Sequence, residues 1–82
     1  GEEFLCILPR TAEKQCKRIA ERLLKKINKH NFIQTPELQV SVSIGIASLS
    51  ELSSTSESLY LHADTALYQA KHNGKNNVVI YR

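Results

Sequence analysis

Cysteine, long apolar runs and aromatic residues are all scarce in this sequence. Cys6 and Cys16 are the only cysteines in 82 residues. Two make neither a disulfide framework nor a zinc site. Cys6 falls in an apolar run and is expected in the core. No apolar run is long enough to span a bilayer, and there is no signal-peptide pattern. The region ahead of Gly1 would be the place for such segments, so their absence here says little about a parent protein. Internal repeats are absent, and only one serine-rich stretch is compositionally biased. Aromatic residues make up 6% of the chain and do not accompany its basic cluster. That argues against a nucleic-acid module, which would combine charge with stacking platforms.

What is present fits one small domain. Apolar residues are 41% of the chain, enough for a modest core, and a domain this small is marginal in the surface it buries. The formal charge is +3. Lys14, Lys17, Arg18, Arg22, Lys25, Lys26 and Lys29 crowd one segment. A solvated helix face explains that cluster better than a polyanion partner does.

Along the chain, Phe4 to Leu8 is a continuous apolar run stopped by Pro9, the pattern of a strand buried on both faces. A central strand needs a neighbour on each edge, and few strands remain to supply them. Thr11 suits the N-cap of a helix with Glu13 in its first turn. Ala12, Cys16, Ile19, Ala20, Leu23, Leu24 and Ile27 form its apolar stripe, and it should end near an exposed His30. Asn31 to Glu37 reads as a connector. From Leu38 to Ala47 apolar and small or polar residues alternate, predicting a half-buried strand. Gly45 inside it predicts a close backbone approach or a bulge.

Ser48 to Ser56 reads as a loop. Ser54 and Glu57 have capping-box spacing for a second helix. Leu59, Ala63, Ala66, Leu67 and Ala70 form its buried side, with Tyr60 and Tyr68 at the edge of the contact and His62 and His72 on the surface. Gly74 is a natural stop, and Val78 to Tyr81 a short final strand. The expected fold is α+β, in the order β-α-β-α-β.

The opening stretch, Gly1-Glu2-Glu3-Phe4, carries the chemistry. Its glycine permits a tight turn close to a ligand. Its adjacent carboxylates suit a hard divalent cation, which takes oxygen ligands. These four residues resemble the end of the Gly-Gly-(Asp/Glu)-Glu-Phe signature of diguanylate cyclases, the GGDEF family. Ser41-Val42-Ser43-Ile44-Gly45-Ile46-Ala47 resembles a characteristic strand of that family. Ala63 to Lys71 resembles its C-terminal helix, and Asn73-Gly74-Lys75-Asn76 the Gly-(Arg/Lys)-Asn turn after it. The four blocks match in order and spacing, across essentially the whole chain.

The resemblance implies a cytoplasmic catalytic domain, in a parent that could be membrane-anchored. Such a domain condenses two GTP into cyclic di-GMP and pyrophosphate in bacterial signalling. It implies a palm-type fold with an antiparallel-rich sheet, of which residues 1–82 form the C-terminal part, cut inside the signature turn. Glu2 takes the Asp/Glu position, a ligand of Mg2+ or Mn2+ and the acceptor of the hydroxyl proton. Glu3, catalytic with Glu2 on this resemblance, lies beside metal and nucleotide, and Gly1 presses against the nucleotide. Lys71 and Lys75 contact the triphosphate, Lys75 standing where the family often has Arg; Lys lacks Arg's bidentate fork. The metal-sharing aspartate, the guanine pocket and any Arg-x-x-Asp inhibitory motif would lie ahead of Gly1. Catalysis would need a second such domain, as a homodimer, and the fragment alone should be inactive and self-associate through an open sheet edge. The alternative is a catalytically silent GGDEF-like domain serving as a nucleotide or cyclic di-GMP receptor.

Overall fold

A computed structural model describes residues 3–30, 37, 40–50 and 54–82. Their elements run α1 (Glu13–Lys29), β1 (Ile44–Ile46), α2 (Ser56–His72) and β2 (Val78–Ile80). The two strands are parallel, with Ile44 opposite Val78, Gly45 opposite Val79 and Ile46 opposite Ile80. Two flanking bonds extend the ladder. The Ile44 N–H donates to the Asn77 carbonyl at 2.9 Å, and the Tyr81 N–H to the Ile46 carbonyl at 2.8 Å. Parallel strands require a crossover, and a helix is its usual form. Here α2 is that crossover.

Gly45 determines how closely α2 lies on the sheet. A Cβ built there would overlap the backbone of α2 at Ala63 and Leu67, coming within 2.7 Å of the Leu67 Cα. The facing side of α2 is correspondingly small. Ala66 and Ala70 are fully buried, and Leu59, Ala63 and Leu67 partly so. The expected buried side of this helix is therefore the observed one, and the expected close approach at Gly45 is the contact that sets it. Tyr60 and Tyr68, expected at the edge of that contact, are exposed.

Helix α2 starts one residue later than expected. Thr55, rather than Ser54, is the N-cap. Its hydroxyl accepts the Ser58 N–H at 3.0 Å, and the Ser58 hydroxyl accepts the Thr55 N–H at 3.1 Å. Serine completes the reciprocal pair in place of Glu57, because its hydroxyl can reach back as a carboxylate would. Helix α1 has the expected end, with His30 as C-cap, but its N-cap is Ala12, which has no side-chain acceptor. The Thr11 hydroxyl instead donates to the Pro9 carbonyl at 2.9 Å. Along α1, Ala20 is buried and Cys16, Leu24 and Ile27 are partly buried; Ala12, Ile19 and Leu23 form an exposed flank of the expected stripe. Both helices lie against the strands, and no Cα of one helix comes within 8 Å of a Cα of the other.

Two expected strands are corrected. The first, Phe4 to Leu8, is not a strand. Phe4 is 96% exposed and Ile7 75% exposed, and Cys6, expected in the core, is exposed as well. An apolar run states a preference for burial but does not name a partner. A strand exists only where a neighbour about 4.8 Å away takes its hydrogen bonds, and among the described residues none does. The observed order is accordingly α-β-α-β. The second strand shrinks from ten residues to the three that Val78–Ile80 can pair. Leu38 and Gln39 lie outside the described residues.

Gly45→Ala is expected to destabilise the fold by at least about 1–3 kcal/mol, the usual cost of forced overpacking, since backbone rather than a flexible side chain would have to move. Urea unfolding followed by circular dichroism measures it. An unchanged midpoint would show that α2 does not sit on Gly45.

Candidate functional site

The last turn of α2 carries Lys71. Its Nζ donates to the Glu3 Oε2 at 3.1 Å, forming an ion pair across 68 residues of sequence. The two side chains remain 45% and 56% exposed. The opening acidic stretch and the end of α2 are thus neighbours in space. Gly1 and Glu2 lie outside the described residues, so Glu3, Lys71 and Lys75 are the candidates whose surroundings can be given.

The turn after α2 has an unusual backbone. Asn73 caps the helix, its N–H donating to the Gln69 carbonyl at 2.9 Å. Gly74 follows at φ +103°, Lys75 at +63° and Asn76 at +52°. The Lys75 N–H reaches back to the Ala70 carbonyl at 3.1 Å, the long bond of a Schellman closure. Gly74 signals one left-handed residue at the sequence level, and the structure has three in succession. Asparagine tolerates this region, whereas lysine has a cost of roughly 1–2 kcal/mol. The turn delivers the chain from α2 into β2, and the backbone bond to Ala70 anchors Lys75 at the helix end. Its side chain is exposed.

Two further features have no sequence signal. His62 stacks on Tyr81, with ring centroids 4.0 Å apart and planes 7° apart. His62 is therefore a packing residue between α2 and the chain after β2, where a surface position was expected. Asn77 Oδ1 is buried without a hydrogen-bond partner among the described residues. His72, by contrast, is exposed, with the Tyr68 ring tilted against it at 4.2 Å.

Electrostatically the site is mixed. A helix C-terminus carries about half a negative charge, which disfavours a phosphate group. Lys71 and Lys75 oppose that field, and Glu3 adds to it. No group of three or more His, Cys, Asp and Glu side chains able to hold a metal occurs among the described residues. Glu3 alone, already paired with Lys71, falls short of the roughly six oxygen ligands a hard cation takes. The described residues therefore do not by themselves fit such an ion.

A β-α-β unit with an acidic residue ion-paired to its helix end defines a small α+β domain with a charged site at one end of α2. The chain belongs to the GGDEF-domain family: the model described as "Diguanylate cyclase, GGDEF domain" matches residues 1–77. Similar proteins include the response regulator PleD of Caulobacter vibrioides, 39% identical over 82 residues, with 96% of this chain and 18% of PleD covered. Diguanylate cyclase A of Treponema denticola is 32% identical over 81 residues, covering 98% of this chain and 22% of that protein. The cyclic di-GMP phosphodiesterase PdeR of Escherichia coli is 33% identical over 81 residues, covering 99% and 12%. The chain spans less than a quarter of the length of each of these relatives. Family and relatives support a place in cyclic di-GMP signalling.

The exposure of the Glu3–Lys71 pair limits its structural worth. A double-mutant cycle on Glu3→Gln and Lys71→Ala, read by denaturant unfolding, should give a coupling below about 1 kcal/mol. A coupling of several kcal/mol would make the pair a structural strut rather than part of a solvent-facing site.

Proposed function

We propose that this chain is part of a diguanylate cyclase, in which two GTP molecules are joined into cyclic di-GMP with release of pyrophosphate. The observation that carries the reading is the Glu3–Lys71 pair at 3.1 Å. It brings the matched signature stretch to the matched end of α2, as a single nucleotide site would require. In the complete domain, a palm-type fold on this reading, Lys71 and Lys75 hold the triphosphate. Gly1 lets the signature turn approach it. A ribose 3′-hydroxyl then attacks an α-phosphorus, the bond to pyrophosphate breaks, and Glu2 accepts the hydroxyl proton. Mg2+ or Mn2+, with Glu2 among its ligands, would neutralise phosphate charge. A second domain of the same kind brings the other GTP, and the catalytic domain works in the cytoplasm.

A second reading keeps the fold and drops the chemistry: a GGDEF-like domain that binds GTP or cyclic di-GMP without turnover. One observation favours keeping it. PdeR, similar over 99% of this chain, is named as a cyclic di-GMP phosphodiesterase, so similarity across these residues does not by itself select a cyclase.

The assay that decides is cyclic di-GMP formation from GTP and Mg2+ by the full-length protein, by its Glu2→Gln variant and by residues 1–82 alone. Turnover is expected from the first only. Loss of a proton acceptor alone would slow Glu2→Gln by about 10²–10⁴-fold, and loss of a metal ligand adds to that. Lys71→Ala and Lys75→Ala should each weaken GTP binding about ten- to a hundredfold, as loss of a charge-assisted contact. GTP binding without turnover in the full-length protein would select the receptor reading. An active Glu2→Gln enzyme would remove Glu2 from the chemistry.

The exposed Phe4, Leu5 and Ile7 and a sheet of two strands support self-association of residues 1–82 when isolated, since open sheet edges invite pairing. Sedimentation velocity should find dimers or larger species; a folded monomer at high concentration would contradict this.

A further inference from the structure

We infer that Glu3 is an internal occupant of the phosphate-binding lysine: it holds Lys71 while the site is empty and yields it to the triphosphate when nucleotide arrives. The inference rests on the proposed role of Lys71 as a triphosphate contact and adds a role for Glu3 as a positioning residue. Its structural basis is the Glu3–Lys71 pair at 3.1 Å. Both side chains are about half exposed, so a phosphate group can reach the ammonium from solvent.

Three physical features make exchange the expected behaviour. First, an exposed ion pair is weak, so a multiply charged ligand can displace Glu3. Second, Lys71 lies at a helix C-terminus, where the backbone field already stabilises the ammonium. Its side chain can release Glu3 without being stranded. Third, Lys75 is anchored separately: its N–H bonds to Ala70, its backbone is left-handed, and neither ion pair found among the described residues involves it. Among the described residues Lys71 is held by a carboxylate and Lys75 is not, so the two are expected to respond differently when Glu3 loses its charge. While paired, Glu3 limits how well the empty site attracts stray anions. The more a ligand's negative charge exceeds that of one carboxylate, the better it competes for Lys71, which favours a triphosphate over a monophosphate.

The test is a double-mutant cycle on binding, carried out in the full-length protein with a chelator present. The probes are inorganic tripolyphosphate and inorganic phosphate, titrated by calorimetry. Glu3→Gln keeps the side-chain size and removes its charge. It should tighten tripolyphosphate binding by about two- to fivefold, the displacement energy of an exposed pair, and narrow the preference over phosphate. In a Lys71→Ala background the gain should fall to nearly one. In a Lys75→Ala background it should persist. Equal gains in all three backgrounds would overturn the exchange, because Glu3 would then act only as a general repulsive charge. So would no gain from Glu3→Gln in the wild-type background. If Lys71→Ala alone leaves tripolyphosphate affinity unchanged, the phosphate role of Lys71 fails, and the exchange with it. If Lys71→Ala weakens binding and the cycle is additive, only the exchange fails. Glu3→Asp provides a second variant that keeps the charge but shortens the reach: it should tighten binding less than Glu3→Gln, and an equal or larger gain would count against the exchange.

Discussion

The contact between Gly45 and the backbone of α2 is the constraint on which the other described features depend. A strand and a helix normally keep apart by the thickness of a side-chain layer. Here the layer is missing at one point, because the residue in the middle of β1 has no Cβ and the helix opposite it presents Ala63 and the Leu67 backbone. With Ala66 and Ala70 completing a small-residue face, α2 is fixed in height and rotation over the sheet. Its last turn is then fixed too. Lys71 comes beside Glu3, and the chain must reverse within a few residues to enter β2 in register with β1. Three left-handed residues accomplish that reversal.

Features that depend on local chemistry were legible in the sequence. The two helices, the buried side of α2, the end of α1 at His30 and the stop at Gly74 each follow from side-chain spacing and helix-end preferences, and each is observed. The cap of α2 moved by one residue because Ser54 and Thr55 both carry a hydroxyl that can cap, whereas the N-cap of α1 is Ala12, with no side-chain cap at all. Thr11 has a hydroxyl that could cap a helix, and in the structure it donates to the Pro9 carbonyl instead. Strand extents were not legible. An alternating or apolar run says which faces avoid water, but pairing is a property of two segments. Phe4 to Leu8 has the composition of a central strand and no partner among the described residues.

The site divides in the same way. Glu3, Lys71 and Lys75 were singled out by resemblance, and proximity of Glu3 to Lys71 is a tertiary fact that no spacing rule contains. The left-handed backbone of Lys75 and Asn76 was hidden because lysine gives no hint of it. The His62–Tyr81 stack was hidden because an isolated histidine on a helix is ordinary. Gly1 and Glu2, the residues on which the catalytic reading most depends, lie outside the described residues, so their roles rest on the family resemblance.

The charge balance at the end of α2 explains why a carboxylate can matter so much there. Two ammonium groups face about −0.5 from the helix end and −1 from Glu3, leaving only about +0.5. A site intended simply to attract phosphate would omit the carboxylate or begin at a helix N-terminus, where backbone N–H groups supply the attraction. This site has neither feature. On the proposed exchange its attraction for anions depends on Glu3, because taking the Glu3 charge away leaves about +1.5, roughly three times the local positive charge. A charged site at a helix C-terminus is therefore open to control by a single carboxylate, in a way that a site built on a helix N-terminus is not.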